Sequence, residues 1–241
     1  MPKNNSLPEW EQVLSAAAHL QRLLPGAVLV GGTASAIHAD HHRFQDADHG
    51  LTDLKARFDE VLAQLESVAG WSTARVRRPV QILGSLDGIE TEVRQLIREQ
   101  PLETTVVRFQ GEPVTLLTKE EMLRIKAALI LKRNATRDYL DFVALAGQLG
   151  PARTAAALGS FDELYPQPNQ ESALQQLQIQ LSNPMPYDLE ATRLDEYKNL
   201  APQWRQWSKV KDACTGCATA IFESVAAGHK SMRPRKQNGR K

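Results

Sequence analysis

The stretch VLVGGTASAIHADHHRFQDADHG, residues 28–50, holds an apolar run, a glycine pair, four histidines and three aspartates. Ala27 to Val30 reads as a short buried strand, and Thr33 to Ala39 as a helix opening on Gly31-Gly32. A glycine pair at that junction suits a tight turn. It also lets backbone amides approach a ligand, and the following helix start offers unpaired N–H groups to a phosphate. A second strand is predicted over Asp46 to Leu51, although Gly50 should weaken it and bring a bulge or an early end. Alternate residues of a strand point the same way, so Asp46 and Asp48 stand side by side. Two such carboxylates repel unless a cation lies between them, and magnesium takes hard oxygen ligands of this kind together with substrate phosphates. Two ions held there can activate an attacking hydroxyl and stabilise a leaving pyrophosphate. The plain alternative is a polar loop after Arg43.

A third acid should come from a neighbouring strand. Asp87-Gly88, between Val80–Ser85 and Ile89–Val93, is a hairpin signal. On its second arm Glu90 and Glu92 share one face. We favour Glu92, which precedes an apolar residue, with Glu90 as the alternative, and a solvated face of alternating charges explains both without chemistry. Upstream, Ser6 precedes a helical stripe (Trp10, Val13, Leu14, Ala17, Leu20, Leu24) that stops at Pro25-Gly26. A further stripe, Leu54 to Val68, closes at Gly70. Ala74 to Leu117 is punctuated by Pro and Gly and reads as mostly antiparallel strand.

Thr118-Lys-Glu-Glu121 has capping-box spacing ahead of a helix through Met122, Ile125 and Leu129. Lys126 and Arg133 fall on one face of it, predicted to lie away from those apolar residues. Helices are expected over Asp138–Leu149, Ala152–Leu158, Ser172–Leu181, Leu189–Leu200 and Val210–Val225, with linkers at Tyr165–Asn169 and Asn183–Pro186. Asp138 and Asp141 share a helix face, and Arg137 can pair with Asp141 at i,i+4. The fold expected is α+β: a small mixed sheet with flanking helices over residues 1–118, an α-helical domain over 119–228, and a basic disordered tail over 229–241.

Composition agrees with a globular chain: 42% of residues are apolar and 24% charged. No stretch approaches the roughly 18 apolar residues of a membrane helix, and the N-terminus lacks an apolar secretion core. Two cysteines, in Cys214-Thr-Gly-Cys217, offer half a zinc site without its other half. They read as small helix residues in a reduced, cytoplasmic setting. The net charge of +1 includes six cations from Lys230 to Lys241, which leaves the rest of the chain at −5. Such a tail either touches RNA phosphates nonspecifically or only solubilises.

The order Gly31-Gly32-Thr33-Ala34, then Arg43-Phe-Gln-Asp46-Ala-Asp48, then a strand acid resembles the nucleotidyltransferase superfamily related to DNA polymerase beta. It is most similar to the AbiEii/AbiGii-type toxin branch. Leu117 to Met122, Lys126, Arg133 and Arg137-Asp-Tyr-Leu-Asp141 resemble that branch's later motif. The resemblance spans about Leu29 to Leu149. It implies a nucleotidyltransferase-like core with Gly31, Gly32 and Thr33 on the triphosphate and Arg43 and Arg133 near the nucleotide. It also implies Asp46, Asp48 and Glu92 on two magnesium ions, Lys126 on phosphate oxygens, and an acid of the helical motif, Asp138, in activity. The implied reaction moves a nucleoside monophosphate from an NTP to an RNA (tRNA among them) or protein hydroxyl, with an antitoxin as partner if the chain is a toxin. His38, His41, His42 and His49 around the aspartates suggest a different enzyme, a His/Asp metal-dependent phosphohydrolase. A third reading is a non-catalytic nucleotide- or RNA-binding module of the same fold.

Overall fold

The computed structural model describes residues 10–42, 44–96, 98, 100–168, 170–197 and 200–231. The predicted nucleotide contact Arg43 and the basic segment from residue 232 on lie outside the described residues. Nine α-helices and seven strands are formed among those described. They run α1 (Trp10–Leu23), β1 (Val28–Leu29), α2 (Gly31–Ala39), β2 (Asp46–Leu51), α3 (Phe58–Glu66), β3 (Trp71–Arg77), β4 (Gln81–Leu86) and β5 (Ile89–Gln95). Then come β6 (Thr104–Phe109), β7 (Glu112–Leu117), α4 (Lys119–Arg133), α5 (Thr136–Leu149), α6 (Pro151–Ala157), α7 (Phe161–Leu164), α8 (Ala173–Ser182) and α9 (Trp207–Ser231).

The strands form one mixed sheet in the order β3-β4-β5-β2-β1-β7-β6, so β2 lies at its centre. It runs parallel to β5 and antiparallel to β1. The β4–β5 hairpin turns at Asp87 (φ 53°) and Gly88 (φ 83°), the two successive positive angles a type I′ turn requires. Thr118 caps α4 by accepting from the Glu121 N–H at 3.2 Å. α4 ends where Asn134 turns left-handed.

One apolar cluster, with Leu20, Phe58, Val61, Leu65, Ile82 and Val93, packs α1 and α3 on the hairpin end of the sheet. A larger one runs from Val13, Ala34 and Leu116 through Tyr139 and Phe142 to Val210 and Ile221. The result is the α+β architecture expected, a mixed sheet with flanking helices and a helical C-terminal part.

Two local expectations are corrected. β2 passes straight through Gly50, because a Cβ there would meet the Leu96 side chain at 2.4 Å: the glycine makes room for a neighbour rather than for a bulge. The helix expected over Leu189–Leu200 is a run of turns among its described residues. The residues that flank it are tied to distant parts of the chain instead. Asp188 accepts from the N–H and hydroxyl of Thr136, both at 2.7 Å, and Ala201 donates to the His41 carbonyl at 2.8 Å. The apolar spacing that suggested a helix is spent on anchoring Leu194 and Leu200 in the large core.

Candidate active site

The parallel register sets Asp46 beside Glu90 and Asp48 beside Glu92, so all four acids face the same side of the sheet. They line a cleft of about 470 Å³ whose opposite wall is α4 and the start of α5. Ala47 and His49 point the other way, beneath the sheet; burial pushes the His49 imidazole down to about 4, so it is neutral.

The glycine pair closes one end of the cleft. Gly31 takes φ +73°, and a Cβ there would lie 2.7 Å from Asp48 Oδ2, so only glycine lets the start of α2 meet this carboxylate. Gly32 seats the Phe44 ring, which a Cβ would meet at 2.2 Å. Both glycines line the cleft. Thr33 is placed differently: it is buried, and its hydroxyl donates to the Asp46 carbonyl at 2.6 Å. Its effect is to lock the aspartate strand against α2.

Burial raises the Asp46 carboxyl, with the nearby Glu92 charge adding to the effect. Asp48 is pushed up to about 7, first by burial and then by the charges of Asp46 and Glu92. Asp46 and Asp48 are half-buried side by side on one strand, and two hard carboxylates in that arrangement could hold a divalent cation. Glu92 is committed elsewhere. Arg94 donates to both of its oxygens through Nη2 at 2.6 Å and again through Nε at 2.9 Å, and Gln81 adds a fourth bond at 2.6 Å. Among the described residues no three His, Cys, Asp or Glu side chains form a metal-ligand set.

On the facing helix Met122, Ile125, Lys126, Leu129 and Arg133 all line the cleft, so the apolar and basic residues share one face, contrary to expectation. Positions 122, 126, 129 and 133 repeat at helical spacing, and that stripe is the cleft wall. Lys126 is not a solvated lysine. Its Nζ lies 2.5 Å from Asp141 Oδ2, and both side chains are 5% exposed. The other Asp141 oxygen meets His41 Nε2 at 2.6 Å, with His41 1% exposed. Burial pushes the Asp141 carboxyl up, but Lys126 and His41 outweigh it and hold it below the ordinary range. The expected Arg137–Asp141 pair is therefore absent: Asp141 faces Lys126, and Arg137 is exposed at the cleft. Asp138 is wholly buried and held by Arg133 through two bonds of 2.5 and 2.6 Å. Of the two helix acids Asp141, not Asp138, lines the cleft.

The four histidines do not converge. His38 bonds the Leu117 carbonyl at 2.6 Å, His41 pairs with Asp141, His42 packs between Phe44 and Tyr197, and His49 lies under the sheet. Sequence reasoning missed Arg94, although its place two residues after Glu92 on a strand puts both on one face. It also missed His41 as the partner of an aspartate 100 residues away, for which no local signal exists.

This is the fold of nucleotidyltransferase-like proteins. The solved structure of JHP933 from Helicobacter pylori superposes with a TM-score of 0.55 at 15% identity, covering 94% of this chain and 98% of that one. A second H. pylori protein, described as a candidate nucleotidyltransferase, gives 0.56 at 13% identity over 94% and 97%. No known family model matches the chain. In sequence it is 33% identical over 131 residues to the heme uptake protein MmpL11 of Mycobacterium tuberculosis, a match covering 53% of this chain and 13% of that protein. It is 31% identical over 140 residues to the mycolic acid-containing lipids exporter MmpL11 of Mycolicibacterium smegmatis, covering 56% and 14%. The chain thus spans about a seventh of the length of the curated relatives it matches. Among the described residues no helix is long and apolar enough to cross a membrane.

Proposed function

We propose that the chain is a magnesium-dependent nucleotidyltransferase. The observation that carries this reading is the juxtaposition of Asp46 and Asp48, side by side on the central strand, with the Gly31-Gly32 helix start and the buried Lys126–Asp141 pair across one cleft. The acceptor hydroxyl oxygen bonds to the α-phosphorus of an NTP, the bond to the bridging oxygen breaks, and pyrophosphate leaves with that electron pair. The hydroxyl proton passes to solvent or a nearby base. A divalent ion held by Asp46 and Asp48 would supply charge neutralisation at the phosphate oxygens. Gly31 keeps the backbone of α2 against Asp48, Thr33 fixes the Asp46 strand, and the buried Lys126–Asp141 pair holds α4 and α5 together as the facing wall.

The acceptor in this reading is an RNA, tRNA among them, or a protein hydroxyl. The setting is cytoplasmic, and the toxin-branch resemblance adds an antitoxin protein as partner. The catalytic core ends at residue 118, and the helical part that follows supplies Lys126, Asp141 and Arg137. The Arg94 bridge to Glu92 favours one second reading, a non-catalytic nucleotide- or RNA-binding module, because it takes the third carboxylate away from a cation. Incubation with each α-labelled NTP, magnesium and a cell extract separates the two. Label in RNA or protein supports transfer; nucleotide binding without labelled product supports the module.

A further inference from the structure

We propose that Arg137 grips the phosphate oxygens of a bound polyphosphate, an assignment that rests on the nucleotidyl-transfer reading. Among the described residues four cations line the cleft: Arg94, Lys126, Arg133 and Arg137. Three of them already have carboxylate partners. Arg94 is bonded to Glu92 at 2.6 Å, Lys126 to Asp141 at 2.5 Å, and Arg133 to Asp138 at 2.5 Å. Asp138, Asp141 and Glu92 are themselves buried, so recruiting any of these cations to a ligand strips a buried carboxylate of its counter-charge. Lys126, which the family resemblance sets on phosphate oxygens, and Arg133, which it sets near the nucleotide, are therefore poor donors for a new anion.

Arg137 differs. It stands exposed at the start of α5, lines the cleft, and among the described residues makes no ion pair or hydrogen bond through its guanidinium. Its charge reaches across to Asp46. With the three pairs matched, Asp46, Asp48 and Glu90 on the sheet and Arg137 on the helix wall are, among the described residues, the charged groups of the cleft without an ion pair. The complementary ligand is an anion that brings a divalent cation at one end and phosphate oxygens at the other. A guanidinium meets such oxygens with two parallel N–H donors, which an ammonium cannot do.

The test is calorimetric titration of inorganic tripolyphosphate with magnesium into the full chain, the Arg137→Ala variant and the Arg137→Lys variant. Wild type should bind, and Arg137→Ala should bind about tenfold more weakly, the effect of one charge-assisted contact. Its melting temperature should not move, since no internal partner is lost. Arg137→Lys should fall between the two. Equal affinity in wild type and Arg137→Ala overturns the assignment of Arg137 and leaves the transfer reading standing if labelled product is made. A wild type that binds no tripolyphosphate and makes no labelled product overturns both.

Discussion

Replacing Lys126 by Met tests the buried cluster behind the cleft. The substitution keeps the volume and removes the charge, so Asp141 is left, among the described residues, with the His41 hydrogen bond at 2.6 Å. Lys126 and Asp141 are each 5% exposed. Removing one partner of a pair this buried costs about 3–5 kcal/mol, because the remaining ion keeps its desolvation penalty without its attraction. For a chain of this size about 2–4 °C of melting temperature is lost per kcal/mol, so the midpoint should drop by about 6–20 °C. Urea unfolding followed by circular dichroism gives the free energy directly. Asp141→Asn should cost a similar amount. The double variant should cost clearly less than the sum, with a coupling of about 2 kcal/mol. The pH dependence has a fixed sign. Asp141 is held below its unfolded value, so its contribution is fully present above about pH 4 and is lost as the pH falls through the lowered folded value. The gap between wild type and Asp141→Asn should therefore close on acidification. Single variants that each cost under about 1 kcal/mol, or strictly additive ones, refute a buried, coupled pair.

Asp48 should behave oppositely to Asp141. Its folded value of about 7 lies above its unfolded one, so in EDTA its contribution to stability should fall as the pH rises from about 4 to 7, and Asp48→Asn should reduce that slope in melting temperature, leaving the smaller part due to Asp46. Gly32→Ala should destabilise by about 1–3 kcal/mol through the Phe44 ring, and Phe44→Leu should relieve much of that loss in the double variant, measured by urea unfolding. The thiols of Cys214 and Cys217 are both raised by burial, Cys217 to about 11, so the folded protein at pH 8 should react with a thiol reagent far more slowly than the urea-unfolded chain.

Features written in short-range pattern were legible in the sequence. The alternation of Asp46, Ala47 and Asp48 fixed which side each carboxylate takes, Asp87-Gly88 marked the hairpin, and Thr118 marked the start of α4. Partner choice across the core was not legible. Asp138 and Asp141 are interchangeable by helical spacing, and only the packing of α5 against α4 gives Arg133 to the first and Lys126 to the second. Gly50 and Gly32 look like backbone devices until Leu96 and Phe44 are seen to occupy their missing side-chain space. The turns over residues 189–197 carry helical spacing because Leu194 and the buried Leu200 beyond them must be anchored. Asp188 and Ala201 bond to groups far away in sequence, which no periodicity records.

The central claim is that the Asp46–Asp48 pair carries nucleotidyl transfer, and its most direct test is labelled-product formation by wild type and by the Asp46→Asn, Asp48→Asn double variant at saturating magnesium. The double variant removes charge and leaves side-chain volume, so its circular dichroism and melting transition should remain those of a folded protein. Wild type should transfer label to RNA or protein, and the folded double variant should transfer none. Undiminished transfer by the double variant, or none by wild type with all four nucleotides, contradicts the account.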